Sequence, residues 1–166
     1  MRITGALTAT LGAAALAAAP LPAAAQTVHA TLEGYQEVPA LSTPGAGSFR
    51  ARIDRRTAAI HWQLSYGDIP SAVLQAHIHF GQHGVNGGIG AFLCSNLGNG
   101  PAGTQACPQS GEIGGTITAA DVVGPAAQGI TPGEFDELIE AVRRGVAYVN
   151  VHSAERPGGE IRGQIR

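Results

Sequence analysis

The sequence contains no lysine; its ten cationic residues are all arginine, set against twelve carboxylates for a formal net charge of −2. A mildly acidic chain without a basic patch argues against nucleic acid and anionic lipid surfaces as partners. Charged residues are scarce at 13 % and alanine and glycine abundant, a composition that suits a compact, neutral protein. Cysteine is nearly absent, and the two that occur, Cys94 and Cys107, form no Cys-x-x-Cys, which excludes that dithiol redox motif. Gly-x-Ser-x-Gly is missing, and no Ser-His-Asp layout is suggested. The glycines between Gly84 and Gly90 lack a following helix, so a dinucleotide-binding reading is weak. Past residue 25 no stretch approaches the ~20 apolar residues that span a bilayer.

What the N-terminus does hold is Met1-Arg2, a short apolar run from Ile3 to Ala19, Pro20 and Pro22, and Ala23-Ala24-Ala25. A basic start, an apolar centre and an Ala-x-Ala end read as a secretory signal peptide over residues 1–25, leaving one domain over residues 26–166. That assigns the protein to the periplasm or the extracellular space. Export puts the two cysteines in an oxidising compartment, and both lie among Gly, Pro, Asn and Ser. They read as a disulfide closing a loop, with a metal-ligating cysteine pair as the alternative.

Short alternating runs dominate the rest. Val28 to Gly34 places Val28, Ala30 and Leu32 on one side and His29, Thr31 and Glu33 on the other. Gly47 to Ile53 and Ala58 to Tyr66 flank a turn-like insert and read as a hairpin, with Trp62 in the core rather than a stacking platform. Val73 to Phe80, Glu112 to Thr118, Val146 to Val151 and Glu160 to Ile165 are further strands. Gly81 to Gly115 reads as one long loop. Thr131, Pro132 and Glu134 form a capping box, and Phe135, Leu138, Ile139 and Val142 an apolar stripe, predicting a helix near 132–144 closed by Gly145. Seven to eight short strands and one helix predict an all-β, antiparallel sandwich or barrel, superoxide-dismutase-like or immunoglobulin-like.

The candidate chemistry sits on two of these strands. His77 and His79 are two residues apart and share one strand face, while Ile78 and Phe80 take the other. Tyr148, Asn150 and His152 share a face of the strand near the C-terminus. If the two strands are neighbours, His77, His79 and His152 meet. Three imidazoles suit copper or zinc rather than calcium or magnesium. The candidates for a fourth ligand are His83, Glu160, Glu112 and water. The competing reading is a structural network in which His77, His79, Asn150 and Glu160 satisfy loop backbone. Glu160 and Arg162 alternate on the last strand, so an ion pair between them, or with Glu37, is expected in preference to acid–base work.

Four stretches together resemble a known family. They are Leu32-Glu33-Gly34-Tyr35-Gln36-Glu37-Val38-Pro39, Ala76-His77-Ile78-His79-Phe80-Gly81, Gly145 to Ser153, and Pro157-Gly158-Gly159-Glu160-Ile161-Arg162-Gly163-Gln164-Ile165. The sequence resembles the CHRD domain, named after chordin and found in many exported bacterial proteins. The resemblance implies a β-sandwich-like extracytoplasmic domain and no established reaction. In chordin the domain accompanies cysteine-rich growth-factor-binding modules; with two cysteines here, that role is not carried over. The order His-x-His, glycine-rich excursion, then a strand-borne Val-His is also similar in layout to copper-zinc superoxide dismutases, whose bridging and zinc ligand set is incomplete here. The sequence therefore points to an exported, non-enzymatic binding module with a copper or zinc site and an unidentified envelope or extracellular partner. A ligand-free structural or adhesive module and a copper-dependent dismutase-like enzyme are the alternatives.

Overall fold

A computed structural model describes residues 25–166, an all-β fold with one α-helix. Apart from Ala25, the expected signal peptide lies outside the described residues. The strands are β1 (Gln26–Glu33), β2 (Ala46–Asp54), β3 (Ala59–Gly67), β4 (Val73–Phe80), β5 (Gly88–Ser95), β6 (Gly111–Ile117), β7 (Ala147–Ser153) and β8 (Ile161–Gln164). The helix α1 (Phe135–Arg143) falls between β6 and β7. All eight strands join one antiparallel sheet in the order β5-β4-β7-β8-β1-β2-β3-β6, curled into a nearly closed barrel. Among the described residues no helix is long and apolar enough to cross a membrane.

The alternation legible in the sequence decides what faces inward. Val28, Ala30 and Leu32 of β1, Phe49, Ala51 and Ile53 of β2, and Ile60, Trp62, Leu64 and Tyr66 of β3 are all buried in one apolar core. Each of the larger aliphatic and Phe side chains among them is worth roughly 1.5–3 kcal/mol when fully withdrawn from water. Phe135, Leu138, Ile139 and Val142 of α1 join the same core, as the stripe predicts.

β4, β7 and β8 differ from the other strands, because both of their faces are covered. Ala76, Ile78, Val149, Val151 and Ile161 point into the core, yet every residue of β7 and β8 is buried. Their outer face carries a second, polar layer: His77, His79, Asn150, His152, Arg162 and Gln164, with Glu160 just before β8. Segments between β1 and β2, between β4 and β5, and between β7 and β8 fold over this layer, as their hydrogen bonds to it establish.

Two expectations need correction. The long loop from Gly81 to Gly115 contains β5, which pairs with β4 along most of its length. Its glycines fit packing rather than a turn. A Cβ on Gly88 would meet Pro125 at 2.4 Å, and one on Gly90 would meet Leu138 at 2.9 Å. The helix starts at Phe135, later than expected, because Gly133 takes a left-handed φ of +89° and breaks the first turn. Half of the expected capping box survives there, the Thr131 N–H donating to Glu134 Oε2 at 2.6 Å. Gly145, at φ +67°, reverses the chain after the helix as expected.

Candidate metal centre

β4 and β7 are hydrogen-bonded neighbours, in register His77 to Asn150, His79 to Tyr148 and Gln75 to His152. This register lays His152 diagonally beside His77 on the outer face. One ring nitrogen from each of His77, His79 and His152 lies within 4.8 Å of the others. His77 Nδ1 and His152 Nε2 stand 3.2 Å apart. Two nitrogens bound to one tetrahedral ion at ~2.0–2.1 Å are separated by about 3.3 Å. All three rings are buried, at 0 %, 7 % and 5 % exposure for His77, His79 and His152.

The second nitrogens of His79 and His152 are engaged. His79 Nδ1 is 3.0 Å from the Gly87 carbonyl and His152 Nδ1 is 3.0 Å from the Pro157 carbonyl. A carbonyl only accepts, so both Nδ1 atoms carry the proton and both Nε2 atoms present a lone pair. This carbonyl-anchored tautomer is typical of metal-ligating histidines. His77 Nε2 and His79 Nε2 are buried with no hydrogen-bond partner, two of the three such side-chain atoms among the described residues. Burial, with His152 and His79 alongside, pushes the His77 pKa down to about 2. Burial holds His79 and His152 down to about 4 against the opposing pull of their carbonyl partners. The rings are therefore neutral near pH 7, the form that binds metal.

Aromatic packing fixes ring orientation. His77 meets Phe92 edge-on at 4.4 Å, and His79 stacks on Tyr148 at 4.8 Å and 6° between planes. Tyr148 also carries the Arg162 guanidinium, 3.5 Å from its ring centroid. Arg162 is buried and donates to the carbonyls of Gln82 and Val85 and to Asn86 Oδ1, pinning the segment that ends at Gly87. The Gly87 N–H in turn donates to Tyr148 Oη at 3.1 Å.

The remaining candidates take other places. His83 is exposed, on a separate cleft with His29, Glu33 and Gln36, and outside the cluster. Glu112 is exposed on β6, opposite Ser65 of β3. Glu160 accepts from Thr43 Oγ1 and Ser153 Oγ, and Glu37 accepts from Asn150 Nδ2 at 2.6 Å. The expected ion pair of Arg162 with Glu160 or Glu37 does not form among the described residues; loop carbonyls satisfy the guanidinium instead. Burial lifts the Glu37 pKa to about 7, the Asn150 hydrogen bond and Arg162 pulling the other way. Cys94 and Cys107 are joined in a disulfide, with 5.1 Å between their Cα atoms, so they are not a ligand pair. Sequence reasoning misses Phe92, because its strand was read as loop, and the Gly87 and Pro157 carbonyls, which leave no side-chain signal.

A family model for the CHRD domain matches residues 28–165. The chain belongs to the CHRD domain family. No curated protein and no solved structure matches it. Within this CHRD domain, all four stretches that carry the resemblance converge on the polar layer. Leu32 to Pro39 supplies Glu37; Ala76 to Gly81 supplies His77 and His79; Gly145 to Ser153 supplies Tyr148, Asn150 and His152; and Pro157 to Ile165 supplies the Pro157 carbonyl, Glu160, Arg162 and Gln164.

Proposed function

We propose that this CHRD domain is an exported binding module that holds one transition-metal ion, copper or zinc, on His77, His79 and His152. The observation that carries the reading is a pair of buried lone pairs: His79 Nε2 and His152 Nε2 are both fixed as acceptors by carbonyls behind their rings and stand in one cluster with His77. His79 Nε2 has no hydrogen-bond partner, and leaving such a buried group without a donor or an ion costs on the order of 1–3 kcal/mol. Near-complete burial of the three rings leaves little room for a substrate beside an ion, which supports retention over turnover. Residues 1–25 and the Cys94–Cys107 disulfide support export.

Calorimetric titration of the purified chain with Cu and Zn tests the reading. One tight equivalent is expected, lost in His77→Ala and in His152→Ala; unchanged affinity in both variants retires the site. A second reading has one observation in its favour. His77 Nδ1–H can donate to His152 Nε2 across their 3.2 Å, which makes the cluster a purely structural network. In that case the same variants melt at lower temperature and no metal effect accompanies the change.

A further inference from the structure

We propose that the ion held by His77, His79 and His152 is copper in its monovalent state, Cu(I). The inference rests on the metal-site reading above and deepens it from the charge and donor number around the triad. All three donors are imidazoles, and no carboxylate or thiolate joins the cluster among the described residues. The two buried carboxylates of the polar layer are engaged elsewhere, Glu37 by Asn150 and Glu160 by Thr43 and Ser153. No carboxylate or thiolate therefore enters the ion's own ligand shell.

The charge packed against the ring that stacks on His79 is positive. The Arg162 guanidinium lies 3.5 Å from the Tyr148 ring centroid, and that ring stacks on His79 with 4.8 Å between centroids, so the cation stands within about 8 Å of the His79 ring. Each further unit of ionic charge at a separation of roughly 8 Å from a fixed cation is disfavoured about 30-fold at an effective dielectric of about 20. Desolvation acts in the same direction, since the Born cost grows with the square of the charge and is about four times greater for a dication.

Coordination number gives an independent argument. Zinc takes four ligands in a structural site and needs a further donor here. Cu(I), with a filled d shell and a single charge, is satisfied by three. With the rings at 0 %, 7 % and 5 % exposure, the polar layer leaves little space for a completing water. The carbonyls nearest the triad, of Gly87 and Pro157, already accept from ring N–H groups.

The test is a pair of competition titrations on the purified chain. Anaerobic Cu(I) is offered as its bicinchoninate complex, and Zn(II) in the presence of a chromophoric chelator. Cu(I) is expected to be withdrawn from bicinchoninate at one equivalent, with an X-ray absorption edge of three-coordinate, nitrogen-ligated copper, while the chelator keeps its Zn(II). Arg162→Gln removes the charge and keeps an amide donor for the loop carbonyls. In that variant the preference for Cu(I) over Zn(II) is expected to shrink about 30-fold. Zn(II) bound as tightly as Cu(I) by the wild-type chain overturns this inference and leaves the metal site standing. Failure to bind either ion overturns the site itself.

Discussion

At the residue scale the polar layer holds titratable groups where burial keeps water from stabilising their charge. The three histidines accept protons in the native state only near pH 4 or below, against 6.5 in an unfolded chain. As pH falls from 6.5 towards 4 the unfolded state therefore binds more protons, and the metal-free protein loses stability through that window. Glu37 acts with the opposite sign. Its native pKa of about 7 lies above the ordinary 4.5, so the native state keeps a proton that the unfolded state releases, and stability declines as pH rises between those values. Glu37→Gln keeps the oxygen that accepts from Asn150 and has no charge to bury. Urea denaturation should find it more stable than wild type at pH 8 by about 1–2 kcal/mol, a figure reduced for the water that still reaches the carboxyl, and nearly equal at pH 5. Equal stability at both values would show that Glu37 ionises normally. The histidines of this layer were legible because strand alternation puts His77 with His79, and Asn150 with His152, on one face. The sequence points to Glu37 as a supporting residue of the site, but its burial depends on a loop whose path the sequence does not reveal.

At the element scale the segment between β4 and β5 does most to orient the site. It ends at Gly87, whose carbonyl holds His79 and whose N–H meets Tyr148 Oη. A Cβ at Gly87 would stand 1.7 Å from the Phe80 carbonyl oxygen, so any side chain must push the segment off the strand it covers. Gly87→Ala is expected to weaken metal binding about 10- to 100-fold, the usual cost of losing the group that orients a ligating imidazole. His83→Ala, on the exposed part of the same segment, should leave affinity unchanged. Parallel titrations of the two variants make the check, and equal losses in both would mean that the whole segment, not the Gly87 contact, governs the site. β4 and β7 could be read from the sequence to within two residues at each end, because their apolar positions alternate cleanly. β5 could not. Its glycines are selected by Pro125 and Leu138, partners far along the chain, and a local reading interprets glycine as turn.

At the scale of the whole molecule the barrel has one open seam, between the edge strands β5 and β6. Gln105 bridges it, its side-chain amide donating to the carbonyls of Leu93 on β5 and Gly114 on β6, both at 3.2 Å. The Cys94–Cys107 disulfide ties the same strap to β5, and Asn96 bonds to Val73 and Cys107. Cys94 lies opposite Ala76, on the apolar side of β4, whereas His77 and His79 lie on the polar side. The sheet thus separates two fasteners: the disulfide inside the seam and the proposed ion across β4 and β7. Replacing both cysteines by serine removes a cross-link over 13 residues and should cost about 3 kcal/mol. A metal ion present at about a thousand times its dissociation constant should add about 4 kcal/mol. Since no ligand or loop is shared, the two effects should add to within about 0.5 kcal/mol. Chemical denaturation of wild type and the double-serine variant, each with and without metal, measures all four corners. A smaller metal gain in the variant would mean that closing the seam helps to set the spacing of the histidines, and that the two faces of β4 are mechanically one.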